Sequence, residues 1–358
     1  MLAPSMKSKI GLCLLAGAVG TVTLLRVGRR FAAPWVGTTG VAIAAGIFLA
    51  AALAYPLLWA RQQRRPGHDA ALVVAFWQGI IRYCLAFDLA LFGFQKIFHL
   101  QFFVPLGMLD LPFSSFSGED LTWAYFRYSY PYIVVIGALQ IGGGLLLMFG
   151  RTRLLGAIAL VPVLLNIILI DYFYHLTIGV LIHALVLMAG LVYLIWLDYE
   201  RLLDFFLRTE SRLPRLLGLG HLGRNLLRWS VLYGPLVLVL TYPSPDTYPQ
   251  LTGKYTVRKL QLASPANTHP SRPDSVLTVV YLDIAHDCVF EFNGTTRRRF
   301  GTYTYDAHTR QLQVAWRYPT PSPDTLRATL DFHPASHSLT VAGRLGLQPI
   351  QFDLQKAP

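Results

Sequence analysis

The segment ALQIGGGLLLMFGRTRLLGA occupies residues 138–157 and joins two long apolar runs through a short basic turn. Glycine is dense on one side of that turn, at Gly142–Gly144, and Arg151 and Arg153 mark the turn itself. Small residues let two helices approach closely inside a bilayer, where apolar side chains alone give little preference for protein over lipid. The segment therefore predicts two closely packed membrane helices. The same glycines are not a phosphate-binding loop, because no Gly-Lys-Ser/Thr sequence follows them.

Outward from this turn the chain alternates apolar runs with basic loops. Of its 358 residues, 54% are hydrophobic and 14% are charged, whereas a soluble domain averages about 25% charged residues. A run of about 20 apolar residues crosses the hydrocarbon core, so we expect a multi-pass membrane protein. The first run is short, and we interpret it as a membrane helix, with a signal-peptide core as the alternative. The runs are Ile10–Leu25, Trp35–Ala60, Ala70–Phe98, Tyr130–Phe149, Leu154–Leu176, Ile178–Trp196 and Leu226–Tyr242.

The basic residues give an orientation. The net charge is +12, with 19 basic and 10 acidic residues in 1–243 but 12 and 9 in 244–358. Because cytoplasmic loops are enriched in Lys and Arg, we place the loops around Arg61, Arg151 and Arg201 in the cytoplasm. The chain then lies in the cell (inner) membrane with residues 244–358 outside the cytoplasm, and no nucleic-acid partner is expected. One cluster, Arg26–Arg30, conflicts with this orientation because it would face outward.

The C-terminal part has a different pattern. Polar and apolar residues alternate with a period of two, which is typical of half-buried strands. Seven or eight short strands predict a small antiparallel barrel or sandwich. The strand candidates are Lys254–Leu262, Val276–Ile284, Val289–Phe292, Phe300–Tyr305, Gln311–Tyr318, Leu326–Phe332, Ser338–Ala342 and Ile350–Leu354.

The predicted fold class is thus an all-α membrane bundle followed by an all-β antiparallel domain. We divide the chain into N-terminal membrane helices at 1–69, a four-helix module at 70–200, an amphipathic segment with a last membrane helix at 201–243, and an extracytoplasmic β domain at 250–358.

Three polar residues fall near the middle of the membrane. At 1.5 Å per helical residue, Arg82, Gln140 and Asn166 each lie roughly 15–18 Å inside their runs. Polar groups in hydrocarbon are costly and usually face a bundle interior. We expect a hydrogen-bonded layer of these three side chains, which either holds the helices together or lines a cavity for a small ligand.

A second polar layer lies toward the outer side. It contains Lys96, His99, Asp171, His175 and His183. We expect an ion pair between Lys96 and Asp171, with the histidines as interfacial hydrogen-bond partners. The spacing favours neither a metal site nor an axial haem pair.

Asp88 has no obvious partner. It lies about 240° around its helix from Arg82, so the two cannot pair along one face. We include Asp88 among the cavity candidates.

The stretches IRYCLAFDLALFGFQKIFHLQF (81–102) and FRYSYPYIVVIGALQIGGGLLLMFGRTRLLGAIALVPVLLNIILIDYFYHL (126–176) resemble the DoxX-like family, and the order of the whole chain is similar to DoxX-like proteins of Bacteroidetes-type bacteria. The resemblance covers about 130 residues and implies a four-helix membrane module. The family takes its name from a subunit of a thiosulfate:quinone oxidoreductase, which implies an association with redox or quinone metabolism and a quinone as the candidate cofactor. This chain has Gln140 where the family often has Glu.

Two functions follow as expectations. The first is a DoxX-like membrane subunit associated with redox or quinone metabolism, with a polar cavity in its bundle. The second is a non-enzymatic membrane scaffold or small-ligand binder whose β domain recognises an envelope partner. The expected partners are the lipid bilayer and other membrane or periplasmic proteins. The residues themselves assign neither a reaction nor a catalytic group.

Overall fold

A computed structural model describes most of the chain, in two compact units, Met1–Leu213 and Pro214–Pro358. The basic loops around Arg61 and Arg201 also contain Arg64, Arg65, Arg212 and Arg215, which lie outside the described residues, as does the middle of the amphipathic segment. The described ranges are 6–62, 69–208, 220–242, 244, 246–262, 276–293, 297–318, 322–333, 338–346 and 348–357.

The first unit is helical. Five stretches of the described chain are long and apolar enough to cross a membrane: Met6–Arg61, Ala70–Ile97, Tyr130–Met148, Arg153–Phe173 and Ile178–Trp196. This confirms the expected multi-pass bundle. The last predicted run forms a helix, α9, that is not one of these five. The helices are α1 (Met6–Val27), α2 (Ala33–Gln62), α3 (Ala70–Ile97), α4 (Gly118–Tyr128), α5 (Tyr130–Met148), α6 (Arg153–Phe173), α7 (Ile178–Trp196), α8 (Tyr199–Leu203) and, in the second unit, α9 (His221–Leu240).

The 56-residue stretch contains two helices folded back on each other. A π-helical turn at Gly28–Ala32 follows α1, and Gly37 takes a φ of +74°, which interrupts the start of α2. A Cβ on Gly17 would lie 2.7 Å from the Ala52 Cβ. A Cβ on Gly28 would lie 2.5 Å from Val41 Cγ1, so α1 and α2 pack antiparallel.

Helix α3 lies against α1, α5 and α7. Its contact with α5 is made by backbone, since a Cβ on Gly93 would lie 2.5 Å from the Gly137 carbonyl oxygen. Within the glycine-rich segment 138–157, a Cβ on Gly156 of α6 would lie 2.9 Å from the Gly143 carbonyl oxygen of α5. The small residues therefore bring α3, α5 and α6 into the close packing expected from the sequence.

The C-terminal unit contains a closed eight-stranded antiparallel barrel in which each strand pairs with the next and β8 returns to β1. The fold is thus a barrel and not a sandwich, and closure leaves no edge strand. The strands are β1 (Gly253–Leu262), β2 (Leu277–Leu282), β3 (Asp287–Phe292), β4 (Arg297–Asp306), β5 (Gln311–Tyr318), β6 (Ser322–His333), β7 (Ser338–Leu345) and β8 (Gln348–Lys356).

The barrel interior is filled by its own side chains, as eight strands allow. Alternate residues of β5, Leu312, Val314 and Trp316, are buried between exposed neighbours. Trp316 packs edge-on against Phe290, with ring centroids 5.0 Å apart, and Phe290 in turn meets Phe352. The barrel is therefore held by an apolar core of large side chains.

Candidate functional site

One face of α3 carries the residues around which the site is built. Leu85, Asp88, Phe92 and Lys96 are spaced by three or four residues and so lie on one side of the helix. Leu85, Asp88 and Lys96 are buried on that side. Arg82 lies three residues before Leu85, but its Nη2 donates to Tyr83 Oη and not to a residue of this face.

Asp88 is fully buried at the centre of a charged cluster. Its carboxylate pairs with the Arg26 guanidinium and accepts a 3.0 Å hydrogen bond from Thr23 Oγ1. His183 Nε2 lies 3.0 Å from Asp88 Oδ2, although the ring nitrogen does not meet hydrogen-bond geometry. Arg26 also donates to Gln95 Oε1 at 2.6 Å. The buried carboxylate is thus compensated by groups from α1 and α7.

Arg26 is the functional residue that the sequence reasoning missed. Its side chain is only 16% exposed, and its guanidinium carbon lies 3.1 Å from the Phe92 ring centroid. Two signals pointed to it separately: Arg26 broke the orientation rule, and Asp88 had no partner on its own helix. The structure shows that Arg26 and Asp88 form an ion pair with each other.

A cavity of about 950 Å³ lies beside this cluster. It is enclosed by parts of α1 and α3–α7, with Gln101, Phe102, Leu176 and Thr177 from the connecting loops. Its polar lining is concentrated in a few side chains, and its walls are largely apolar. The polar and charged residues include Arg26, Arg29, Gln95, Lys96, Glu119, Asn166, Asp171 and His183; the apolar ones include Val22, Leu25, Phe126, Ile136, Leu139, Ile167, Ile170 and Leu187.

Lys96 and Asp171 both line the cavity and both are buried, at 6% and 3% exposed. The predicted ion pair between them does not form: no described contact joins their charged atoms within 4.0 Å. The reason is that α6 packs on α5 and α7, which leaves the cavity between α6 and the Lys96 face of α3. Lys96 Nζ instead lies 5.3 Å and 5.7 Å from the ring centroids of Phe92 and Phe102.

Asp171 faces the cavity with one carboxylate oxygen unsatisfied. Within the described part of the chain, its Oδ2 atom is buried and has no hydrogen-bond partner. An unsatisfied buried polar atom costs free energy unless something pairs with it. The cavity therefore presents an amino group and a carboxyl group that form no direct ion pair with each other.

Asn166 and His183, also predicted from sequence, line the same cavity. Arg82 and Gln140 do not: Arg82 Nη2 donates to Tyr83 Oη at 3.1 Å, and both polar side-chain atoms of Gln140 are buried without a partner among the described residues. The expected hydrogen-bonded layer of Arg82, Gln140 and Asn166 is therefore wrong. The three residues share a depth in the membrane, but depth alone does not fix the direction around each helix.

His99 and His175 stand apart from the cavity. Both are exposed at helix ends with positive φ values of 56° and 55°, and the His99 ring stacks on Tyr130 with centroids 4.3 Å apart. No group of three or more His, Cys, Asp or Glu side chains in the described ranges is arranged to hold a metal ion.

No family model matches this chain, and no solved structure matches it. The chain is 32% identical over 127 residues to the uncharacterised protein YwoB of Bacillus subtilis (strain 168). The match covers 35% of this chain and 79% of that protein. At this identity and coverage, the chain belongs to the family that includes the uncharacterised protein YwoB of Bacillus subtilis.

Proposed function

We propose that this chain is an integral membrane subunit that binds a quinone-type ligand in the cavity of its helical bundle. The observation that carries the proposal is the cavity itself, which has largely apolar walls and a polar lining that includes Lys96, Asn166, Asp171 and His183. The resemblance of 81–102 and 126–176 to the DoxX-like family supports the same assignment.

The cavity suits an amphipathic ring compound. Small-molecule sites typically measure about 300–1,000 Å³ and combine apolar walls with a few polar groups that fix orientation, and 950 Å³ falls within that range. A quinone has an apolar ring and tail with oxygens at its polar positions. Lys96 is placed to donate to one of these oxygens, and Trp123, Phe126 and Tyr132 offer aromatic contact to the ring.

Equilibrium dialysis of the purified full chain in detergent tests the proposal. The probe is a dimethylnaphthoquinone, whose blocked ring positions cannot alkylate cysteine, and both its oxidised and reduced forms are assayed. We expect saturable binding of at least one form. Lys96→Met should weaken it about tenfold or more, because a hydrogen bond to a charged donor contributes about 1.5–3 kcal/mol.

Arg82→Met is the matched control, since Arg82 lies on the same helix but not in the cavity. It should bind like the unmodified chain. Absence of saturable binding of both redox forms, by a chain that elutes as a folded monodisperse species, would contradict the proposal.

We also propose that the protein lies in the cell membrane with its β-barrel on the extracytoplasmic side. The support is the cytoplasmic preference of Arg61, Arg151 and Arg153. Alkaline phosphatase fused after Lys356 should be active, because that enzyme matures only outside the cytoplasm, and a fusion at Gly150 should be inactive. The reverse pattern would invert the orientation.

The barrel supports a second role, recognition of an envelope partner. Tyr255, Tyr303 and Phe352 fill its interior, so a binding partner must use the outer surface or the loops. Crosslinking from an exposed strand position such as Thr304, with recovery of one defined envelope protein, would support this role. Crosslinks to abundant proteins in proportion to their amounts would contradict it.

A further inference from the structure

We infer that Asp171 makes the bundle cavity selective for the reduced, hydroxylated form of its ligand over the oxidised form. This inference rests on the proposed function, because it assumes that a quinone-type ligand enters the cavity. It names Asp171 as a specificity-determining residue.

Asp171 forms no ion pair within 4.0 Å with a described residue, and it interacts with the Lys96 charge only at longer range. Its carboxylate is 3% exposed, lines the cavity, and keeps Oδ2 without a hydrogen-bond partner. Asp88, another buried carboxylate of the bundle, is paired by Arg26 and Thr23. The difference indicates that Asp171 is available to a ligand while Asp88 is part of the framework.

A carboxylate only accepts hydrogen bonds. A quinol hydroxyl donates one and so satisfies Oδ2. A quinone carbonyl oxygen is itself an acceptor, and it would set two partial negative charges against each other in a site of low dielectric. Asp171 therefore favours the hydroxyl over the carbonyl.

Three other polar side chains of the cavity, those of Lys96, Asn166 and His183, do not provide this selection. Lys96 Nζ is a donor only, and both redox forms carry oxygens that accept from it. The Asn166 amide can donate and accept, so it accommodates either form. The His183 Nε2 atom is turned toward Asp88, 3.0 Å from Oδ2. Glu119 is another carboxylate of the lining, but its Oε1 already accepts from Trp123 Nε1 at 3.0 Å. We therefore assign the selection by redox state to Asp171.

The preference should be large. A site built to hydrogen-bond a hydroxyl rejects an analogue that lacks it, because buried polar groups are then left unpaired. We expect the reduced form to bind at least about tenfold more tightly than the oxidised form, the factor that corresponds to one hydrogen bond to a charged group.

The test compares dissociation constants of the dimethylnaphthoquinone and its dithionite-reduced quinol for the full chain at pH 8. Asp171→Asn keeps the side-chain shape but supplies an amide donor that a carbonyl oxygen can accept. We expect this substitution to weaken quinol binding, to strengthen quinone binding and to abolish the preference. Leu169→Val, on the same helix but outside the cavity lining, should leave the ratio unchanged, and Lys96→Met should weaken both forms together.

Different results contradict the proposed function and the role of Asp171. If neither form binds the unmodified chain, the proposed function is wrong and this inference falls with it. If both forms bind with equal affinity, or Asp171→Asn keeps the quinol preference, the cavity is a quinone site but Asp171 does not select the redox state.

Discussion

The interiors of the helical bundle and the β-barrel differ in packing and in polarity. The barrel fills its centre with large apolar side chains such as Tyr255 and Phe352, both at most 1% exposed. The bundle encloses a cavity of about 950 Å³ and buries Asp88, Lys96 and Asp171 around it. Buried charges in a membrane bundle are costly and usually mark a site, so the contrast supports the ligand site that we propose in the bundle, whereas the barrel interior is packed with its own side chains.

The largest effect should come from removing Asp88. Asp88→Ala leaves the Arg26 guanidinium buried without its counter-ion, and breaking a buried pair in this way costs about 3–5 kcal/mol. We expect a marked loss of folded full chain after detergent extraction, measured by size-exclusion chromatography and thermal melting.

The double variant Arg26→Met, Asp88→Leu removes both charges and should recover much of the stability, because apolar replacement of a whole pair is often neutral. A double variant no more stable than Asp88→Ala would show that the ion pair is not what Asp88 contributes.

The next largest difference should appear when an apolar side chain is truncated in the barrel and in the bundle, and the losses in the free energy of unfolding are compared. Phe352→Ala in the barrel should cost about 3–5 kcal/mol, whereas Ile136→Ala, which borders the cavity, should cost less than about 2 kcal/mol because it removes fewer packed contacts. Hydrogen–deuterium exchange of the full chain can assign each loss to its own strands or helices. Equal costs would mean that the bundle is as tightly filled as the barrel.

Close helix packing predicts a smaller effect within the bundle. Gly93→Ala introduces a Cβ 2.5 Å from the Gly137 carbonyl oxygen, and overpacking of this kind costs about 1–3 kcal/mol. Gly142→Ala meets nothing within 4 Å and should be neutral or slightly stabilising. The melting temperatures of the two variants give the comparison, and a harmless Gly93→Ala would contradict the backbone contact of α3 and α5.

The smallest effect concerns pH and the barrel. Burial, with a further contribution from Asp287, raises the pKa of the Cys288 thiol from 9.0 to about 12. The stability that its neutral form provides is complete below pH 9 and is lost as the pH rises toward 12, because the unfolded thiol ionises first.

Thermal melting of the full chain between pH 8 and 11 measures this loss. The free energy of unfolding should fall more steeply with pH for the unmodified chain than for Cys288→Ala, by up to about 1.4 kcal/mol per pH unit. Burial also raises the pKa of Tyr255 to about 12, but this contribution is common to both proteins. Parallel curves would show that the thiol is not protected by burial.

The sequence predicted the apolar spans and the barrel strands well, because periodicity and length are properties of one segment at a time. It could not predict how segments face each other. Asp88 and Arg26 each stood out alone, but their pairing depends on α1 lying against α3, which no local pattern encodes. Lys96 and Asp171 were expected to pair because they share a membrane depth. The separation of Lys96 and Asp171 depends on the packing of α6 against α5 and α7.

The Arg26–Asp88 pair also has a consequence for biosynthesis. Its members are 62 residues apart in the chain, and synthesis proceeds at about 5–20 residues per second, so the carboxylate emerges roughly 3–12 s after the guanidinium. During that interval the α1–α2 hairpin carries a cation whose counter-ion has not been made. An unpaired guanidinium in hydrocarbon is costly, so we expect Arg26 to stay hydrated at the bilayer surface until α3 is inserted and Asp88 can pair with it.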